Sequence, residues 1–332
     1  MADYNIRFAE KSDTDSIMKF INLYWRKGHI LATDKDLFEW QYINYDRLNF
    51  VIGIDNDNTI QGVLGFIPYD NSDEKDIALA LWKANPTVSL LGIRLMMFLM
   101  EKESHRSIVC PGINLKTTSQ IYKRFGMKVD AMVQWYRLSP RAEYVIAKIV
   151  DDSIPEVKEK LQYTFERIET PDQLVEVFDF KSPFHVKTTP YKSYGYVSKR
   201  YFNHPAYEYY VYALKKDEGK AESLFVFRIQ ECQGKRVLRF VDCIGKYDEI
   251  AFATASIDRL MEEMDAEYVD MYEAGIDYKL LIDAGWKPVK ETKNIIPNYF
   301  APFEQSVVDI HYCTSDINAV LFRGDGDQDR PN

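Results

Sequence analysis

One short segment near the start of the sequence concentrates side chains that can bind a polar ligand. LYWRKGHILATDKDLFEWQY (23–42) carries aromatic, basic and acidic residues together, and its candidate ligand-binding side chains are Trp25, Arg26, Asp34 and Trp40. Aromatic planes beside polar groups suit a sugar or a nucleobase. Tryptophans at helical spacing are equally compatible with a helix that packs against a core.

His29 lies within the same segment and is the candidate general base. An unperturbed imidazole has a pKa of about 6.5, so it can take a proton from an ammonium group near neutral pH. A water relay would remove the need for a side-chain base. The sequence leaves both routes open.

Two further polar groups come later in the sequence. KRYFNHPAYEYYVY contains Tyr201 and His204, which would form a polar, stackable surface; the alternative is a β-rich core with tyrosine hydroxyls at its rim.

The stretch FRGDGDQDRPN alternates acidic residues as a calcium loop does, but it lacks the Glu needed at the twelfth position, so we predict no metal. If this stretch is ordered, Arg330 would face a phosphate; the alternative is terminal disorder.

Composition limits the classes of partner. The chain has 332 residues, which suggests two domains, and 46% apolar with 28% charged residues, which is ordinary for a globular protein. A net charge of −9 argues against nucleic-acid or anionic-membrane partners, which demand dense Lys and Arg. The cysteines show no metal or disulfide spacing. No apolar run approaches the roughly 20 residues that span a bilayer, so we expect a cytoplasmic enzyme or binding protein.

Hydrophobic periodicity predicts the same order of elements in both halves: hairpin strands, a long helix, a strand, a short helix and further strands. The helical stripes are Ile17, Phe20, Ile21 and Tyr24, then Leu91, Leu95, Phe98 and Leu99, then Ile257, Leu260, Met261 and Met264. IYKRFGMKV (121–129) and LLIDAGWKP (280–288) match as helix endings, about half the chain apart. We therefore predict one fold used twice.

The predicted fold class is α/β (α+β), and each copy is a mixed, mostly antiparallel twisted sheet flanked by helices. The predicted domains are 1–140 and 163–332, with a polar connection over 141–162.

Two stretches in the first half carry a resemblance to a known family. LWKANPTVSLLGIRLM (81–96) and INLKTTSQIYKRFGMKV (113–129) resemble the pyrophosphate loop and the closing helix of the GNAT superfamily of acyl-CoA N-acyltransferases. The loop departs from the family pattern, because Ser89 replaces its usual Arg or Gln and Arg94 replaces a small residue, while Gly92 is kept. Backbone N–H groups at a helix start bind diphosphate whatever the side chains are.

The resemblance implies acyl-CoA as co-substrate and assigns roles to particular residues. The diphosphate would lie at Val88, Ser89, Leu91, Gly92, Ile93 and Arg94. A break in the strand ladder at Leu81, Trp82 and Lys83 would offer a free N–H to the thioester carbonyl, and Asn114 would also contact the coenzyme. Tyr122 would protonate the departing thiolate as general acid; its alternative is a helix tyrosine with a satisfied hydroxyl.

The second copy departs further from the family pattern. Its corresponding loop, CIGKYDEIAFA, places Asp248 and Glu249 where phosphates would lie, and Leu281 stands at the position of Tyr122. We predict that this copy lacks coenzyme binding and serves the acceptor.

A narrower resemblance rests on WRKGHILATD and GDGDQDRPN, which are similar to stretches of N-acyltransferases that modify nucleotide-linked amino sugars in bacterial surface-polysaccharide (O-antigen) pathways. It implies transfer of acetyl, or of a short hydroxyacyl group such as hydroxybutanoyl, to a dTDP-linked aminodeoxy sugar. The alternatives are an aminoacyl transferase of the peptidoglycan-bridge type and a non-catalytic sensor of acyl-CoA or nucleotide sugar.

Overall fold

Two mixed sheets with flanking helices form the protein in a computed structural model that describes residues 4–44, 46–157, 163–216 and 219–331. This architecture confirms the predicted fold class. Among the described residues, no helix is long and apolar enough to cross a membrane.

The elements of the first half follow the predicted order. Its strands are β1 (Asn5–Phe8), β2 (Ile43–Asn44), β3 (Arg47–Leu48), β4 (Phe50–Ile54), β5 (Ile60–Pro68), β6 (Asp76–Ala84), β7 (Ser107–Pro111), β8 (Lys128–Ala131) and β9 (Val133–Leu138). Its helices are α1 (Thr14–Phe20), α2 (Ile30–Thr33), α3 (Lys35–Tyr42), α4 (Leu91–Lys102) and α5 (Ser119–Arg124), and one π-helical turn (Ile21–Trp25) continues α1.

The second half repeats this order. Its strands are β10 (Tyr163–Ile168), β11 (Tyr210–Lys216), β12 (Ser223–Cys232), β13 (Lys235–Gly245), β14 (Ala266–Ala274), β15 (Lys287–Pro288), β16 (His311–Thr314) and β17 (Leu321–Phe322). Its helices are α6 (Pro171–Val177), α7 (Tyr194–Phe202), α8 (Ile250–Glu263) and α9 (Tyr278–Asp283).

The apolar stripes read from the sequence are the buried faces of these helices. Leu91, Leu95 and Leu99 of α4 are at most 1% exposed and pack on β4 and β5. Ile257 and Leu260 of α8 are buried in the same way against the second sheet. Burial of these stripes is what holds each long helix on its sheet, since short helices gain most of their stability from packing.

The two sheets share one topology and exchange one strand each. The first sheet has the order β1-β4-β5-β6-β7-β16-β8, and the second has the order β10-β11-β12-β13-β14-β9-β15, with β17 added to β14. In each sheet one parallel pair, β6 with β7 or β13 with β14, lies among antiparallel neighbours.

The exchanged strands cross the domain division that the sequence predicts at residue 140. β9 precedes that limit but pairs with β14 and β15 of the second sheet, and β16 pairs with β7 and β8 of the first. Antiparallel pairing is local, so a strand of either half can fill the gap between two edge strands. The domain limits stay a prediction, but neither sheet is complete without a strand from the other half.

Residues 323–331 follow β17, form the C-terminal segment of the described structure and are largely buried between the two halves. The Lys192 Nζ lies 2.5 Å from Asp242 Oδ1 and 2.9 Å from Asp325 Oδ1. These three side chains are at most 1% exposed. Tyr69 from the first half donates to the same Asp325 carboxylate at 2.9 Å. A buried cation of this kind is tolerated because it is paired and hydrogen-bonded. These contacts hold residues 323–331 in place, as the ordered alternative expects.

Asp329 makes a second anchor. Its carboxylate accepts two hydrogen bonds from Arg228, from Nη2 at 2.9 Å and from Nε at 3.1 Å, and one from the Tyr209 hydroxyl at 2.8 Å. Burial alone would raise the pKa of Asp329, but the Arg228 guanidinium, together with the nearby Arg323 and Arg239, outweighs burial and holds this pKa below its ordinary value.

Replacing Asp329 by Asn should lower the free energy of unfolding by about 3 kcal/mol at neutral pH, because Arg228 would stay buried without a counter-charge. A carboxylate whose pKa is lower in the folded state stabilises that state above its unfolded pKa of about 3.9, and this stabilisation is lost as pH falls further. The wild type and the variant should therefore differ less in their free energy of unfolding below about pH 4, as measured by urea unfolding.

The matched control is Asp130→Asn, since Asp130 is exposed and its Lys128 partner is 3.6 Å away. This change should alter stability by less than about 0.5 kcal/mol. Equal effects of the two substitutions would show that the Asp329 pair does not anchor the segment.

Candidate functional site

A cleft opens in the first sheet where its parallel pair separates. β6 and β7 are paired only between residues 76–78 and 107–109, and beyond Ala78 and Val109 the strands diverge. A cavity of about 360 Å³ lies in the gap, lined by both strands, by α5 and by the C-terminal segment. The unpaired strand edges leave backbone donors and acceptors along its walls.

A bulge in β6 lies on this cleft. Leu64 pairs with Trp82 and Phe66 pairs with Leu79, so Ala80 and Leu81 together face one residue of β5. The extra residue of a bulge leaves the ladder and re-aims its N–H group. The ladder break predicted over residues 81–83 is thus centred slightly earlier, and Leu81, Trp82 and Lys83 line the cavity.

Tyr122 projects from α5 into the same cavity and is 2% exposed. Its hydroxyl lies 3.6 Å from the Cys110 sulfur of β7, and its ring packs 5.5 Å from that of Trp82. Burial raises the pKa of Tyr122 well above its ordinary value, so the phenol is neutral and keeps its proton at neutral pH. The helix ends at Arg124, and Gly126 two residues later adopts a left-handed φ of +77°.

The predicted diphosphate residues lie at the start of α4. Leu90 precedes the helix with a left-handed φ of +64°, and the Trp82 indole N–H donates to the Gly92 carbonyl at 3.1 Å, which ties this turn to β6. Ser89 and Arg94 are exposed there, while Val88 and Ile93 are half-buried and Leu91 is buried. The first N–H groups of a helix have no intrahelical partner, so this turn can receive an anion.

The C-terminal segment forms the floor of the cleft. A Cβ added to Gly326 would lie 3.3 Å from Pro111 and 3.5 Å from Ala78, at the point where the strands part. The Gln328 side chain lies against Gly112, and Arg330 pairs with Asp327 at 2.7 Å. Of the predicted substrate-binding residues, Arg330 and Trp25 line this cavity, as does the predicted coenzyme contact Asn114.

His29 and Asp34 have structural partners instead. His29 Nδ1 accepts the Leu31 N–H at 3.1 Å and Asp34 accepts the Leu37 N–H at 2.9 Å, so each caps the start of a helix. Burial lowers the pKa of His29 to about 4, and a neutral ring whose Nδ1 accepts must carry its hydrogen on Nε2. This geometry weighs against the predicted base role of His29, because neither nitrogen is open to a further proton.

The other predicted acceptor residues lie away from this cavity. The Trp40 and His204 rings pack against each other between the two halves, with their centroids 4.3 Å apart. The Tyr201 hydroxyl donates a hydrogen bond to Asp242 Oδ2 at 2.5 Å. Burial lowers the pKa of His204 to about 3. Arg26 is exposed after the π-helical turn. Trp40 and His204 therefore belong to the contact between the halves, Tyr201 is buried beside Asp242 of its own half, and Arg26 lies at the surface. None of the four lines the 360 Å³ cavity.

The equivalent cleft of the second sheet is filled. β13 and β14 also part after Phe240 and Met271, but β17 occupies the gap, where it pairs with β14 and brings Phe322 to 5.9 Å from the Phe240 ring. Leu281, at the place of Tyr122, is fully buried in this apolar core. A plugged cleft leaves no room there for a coenzyme arm.

Cys110, Gly112 and Gln328 also line the open cleft, and the sequence reasoning did not select them. A glycine directly after the strand SIVCP was the available signal, because glycine at such a place permits a close approach. Among the described residues, no group of three or more His, Cys, Asp or Glu side chains is placed to hold a metal ion.

Comparison with family models finds no match, and neither does comparison with curated proteins. Solved structures do match. A protein of Enterococcus faecalis V583, named as a probable N-acyltransferase, has a TM-score of 0.57 at 11% identity over 95% of this chain and 73% of its own.

A GCN5-related N-acetyltransferase of Anabaena variabilis gives the same TM-score and identity over 94% and 72% of the two chains. The glucosamine N-acetyltransferase region of a fungal multi-domain β-N-acetylglucosaminidase has a TM-score of 0.50 at 11% identity, over 94% of this chain and 38% of its own. The chain therefore has the GNAT fold in its tandem form, with one cleft open and the other filled.

Proposed function

We propose that this protein is an acyl-CoA-dependent N-acyltransferase, which moves an acyl group from a thioester to an amine. The observation that carries the proposal is the cleft between β6 and β7, where a strand bulge and the buried Tyr122 hydroxyl meet in a chain with the GNAT fold. A bulge supplies an oxyanion donor and a buried phenol supplies an acid, which are two of the groups that assist thioester aminolysis.

The donor would enter along the diverging strands. The pantetheine arm would hydrogen-bond to the unpaired edges of β6 and β7, and the diphosphate would meet the first turn of α4 at Gly92, with Arg94 exposed beside it. This arrangement would leave the thioester at the bulge. It assigns donor binding to the first predicted domain, 1–140.

The chemistry would proceed by direct attack. The amine nitrogen bonds to the thioester carbon, and the carbonyl oxygen takes negative charge beside the bulge N–H near Leu81. The C–S bond then breaks, Tyr122 gives its proton to the thiolate, and the proton released by the amine restores the phenol through solvent. The products are an amide and free CoA thiol. Water is the simplest proton carrier, because His29 Nδ1 already accepts the Leu31 N–H and Nε2 of the neutral ring already carries the hydrogen.

The acceptor would approach from the second half. We infer a nucleotide-linked, dTDP-type aminodeoxy sugar as acceptor and acetyl or a short hydroxyacyl group such as hydroxybutanoyl as cargo. The support is the polar wall of Asp327, Gln328 and Arg330 and the half-exposed Trp25 indole on the same cavity, since an aromatic face suits a sugar. One structure of the same fold is named as a glucosamine N-acetyltransferase region, which supports an amino-sugar acceptor.

The test is release of free thiol from acetyl-CoA in the presence of a panel of amines that includes dTDP-linked amino sugars. Release that depends on a dTDP-amino sugar would support the full proposal, and release with other amines would support the transferase but not this acceptor. CoA binding with no release from any amine would favour a sensor instead.

Tyr122→Phe should slow thiol release by roughly 10²- to 10⁴-fold, because the thiolate would leave without its acid. CoA affinity should be unchanged, since the ring is kept. Tyr144→Phe is the control, because it removes a hydroxyl that is bonded to the Ser139 carbonyl at 2.8 Å outside the cleft. Equal rates for both variants and wild type would remove Tyr122 from the mechanism.

His29→Asn tests the base. Asn caps helices well, so the start of α2 should be kept. If water carries the proton, the rate should fall by less than about tenfold, whereas loss of a general base costs about 10²-fold or more. A loss of the larger size with unchanged CoA affinity would restore His29 to the mechanism.

A further inference from the structure

A second cavity, of about 310 Å³, lies in the second half next to the proposed active site. Its walls come from β12, β13, the segment around residues 298–301 and the C-terminal segment. Gln328 and Arg330 line this cavity as well as the cleft between β6 and β7, so one stretch of chain separates the two spaces. No role is assigned to this cavity by the proposed donor chemistry.

Its lining is rich in arginine. Arg228, Arg239 and Arg323 are at most 6% exposed, and Arg330 joins them from the C-terminal segment. Three of these guanidinium groups also lie over aromatic rings: Arg228 over Tyr207 at 4.1 Å, Arg239 over Phe300 at 5.0 Å and Arg323 over Tyr272 at 4.6 Å. Such stacking fixes the planes of the guanidinium forks, which prepares them for planar oxyanions.

Among residues 4–44, 46–157, 163–216 and 219–331, the carboxylates paired with these arginines do not balance them. Arg228 has Asp329 and Arg330 has Asp327, each by close contacts. Asp270, by contrast, is shared. Arg239 holds it with two hydrogen bonds at 2.9 and 3.0 Å, which leaves Arg323 one contact of 3.4 Å to the same carboxylate.

Within the described part of the chain, Arg323 is thus the cation in surplus. Burial first, and then the neighbouring Arg239, lower the pKa of Arg323 by more than Asp270 and Asp329 raise it. A purely structural network would not need this arginine, because an unbalanced buried charge costs stability. A ligand anion would supply the missing charge.

We propose that this cavity binds an oxyanion group, a phosphate or a carboxylate, of the acceptor, with Arg323 and Arg239 as its principal donors. The proposal rests on the proposed function. The rest of the acceptor extends past Gln328 and Arg330 so that its amine enters the cleft between β6 and β7. The cavity then selects acceptors that carry an anion at a distance from the amine.

The test uses a variant that adds charge without removing an arginine. Gln230 lines the cavity, is half-exposed and accepts a hydrogen bond from Arg228 at 3.0 Å, so Gln230→Glu should fold normally. The control is Gln233→Glu, which makes the same charge change at the exposed β12–β13 turn outside this cavity. Calorimetric titrations use inorganic pyrophosphate in one arm and succinate in the other, both with CoA present in excess to occupy the α4 turn.

At least one of the two probes should bind wild type and the Gln233→Glu control alike and bind Gln230→Glu roughly tenfold more weakly, because like charges a few ångströms apart repel strongly in a partly buried cavity. Binding of pyrophosphate alone would identify a phosphate and binding of succinate alone a carboxylate. Failure of both probes to bind, or equal binding to all three proteins, would overturn the proposal.

The thiol-release assay separates this result from the proposed function. Anion binding as expected, with no thiol release from any amine, would keep the anion cavity and reject the transferase. Thiol release with no anion binding would keep the transferase and reject the cavity.

Discussion

The buried charge pairs of the C-terminal segment are the constraint on which the rest of the structure depends. Lys192 between Asp242 and Asp325, and Arg228 on Asp329, join the segment to the second half, and Tyr69 ties Asp325 to the first. A buried ion pair is weak evidence for stability but strong evidence for position, because each charge is costly unless its partner is in place. The segment can therefore adopt few alternative paths.

That path explains why two copies of one fold differ in what they can bind. The chain passes through the cleft of the second sheet as β17 and fills it with Phe322, then crosses to the first sheet, where it forms only the floor of the cleft. The same segment closes one site and shapes the other. Strand exchange through β9 and β16 adds to this coupling, because neither half completes its sheet alone.

Local features of the fold could be predicted from sequence, because they depend on near neighbours. The stripe on α4 and the glycine that ends α5 follow from helical spacing and backbone conformation. The ladder break in β6 was predicted within two residues, from resemblance to the GNAT family. Tyr122 on the open cleft and Leu281 in the filled one also lie where their helices were predicted to place them.

Long-range features could not be predicted, because their causes lie far apart in the chain. Burial of Asp329 depends on Arg228, about a hundred residues earlier, so GDGDQDRPN alone looks like a polar terminus. β9 pairs with β14 and β15, which follow it by more than a hundred residues, so its own sequence does not show which sheet it joins. His29 and Asp34 looked like chemical groups, but polar side chains before a helix are also caps, and here backbone N–H groups occupy them.

A structure of the protein with acetyl-CoA bound tests the central claim most directly. We predict one coenzyme per chain, with its diphosphate at the start of α4, its sulfur within reach of the Tyr122 hydroxyl and its thioester oxygen at the bulge of β6. A coenzyme in the cleft of the second sheet, or one whose thioester lies outside the space between β6 and β7, would contradict it.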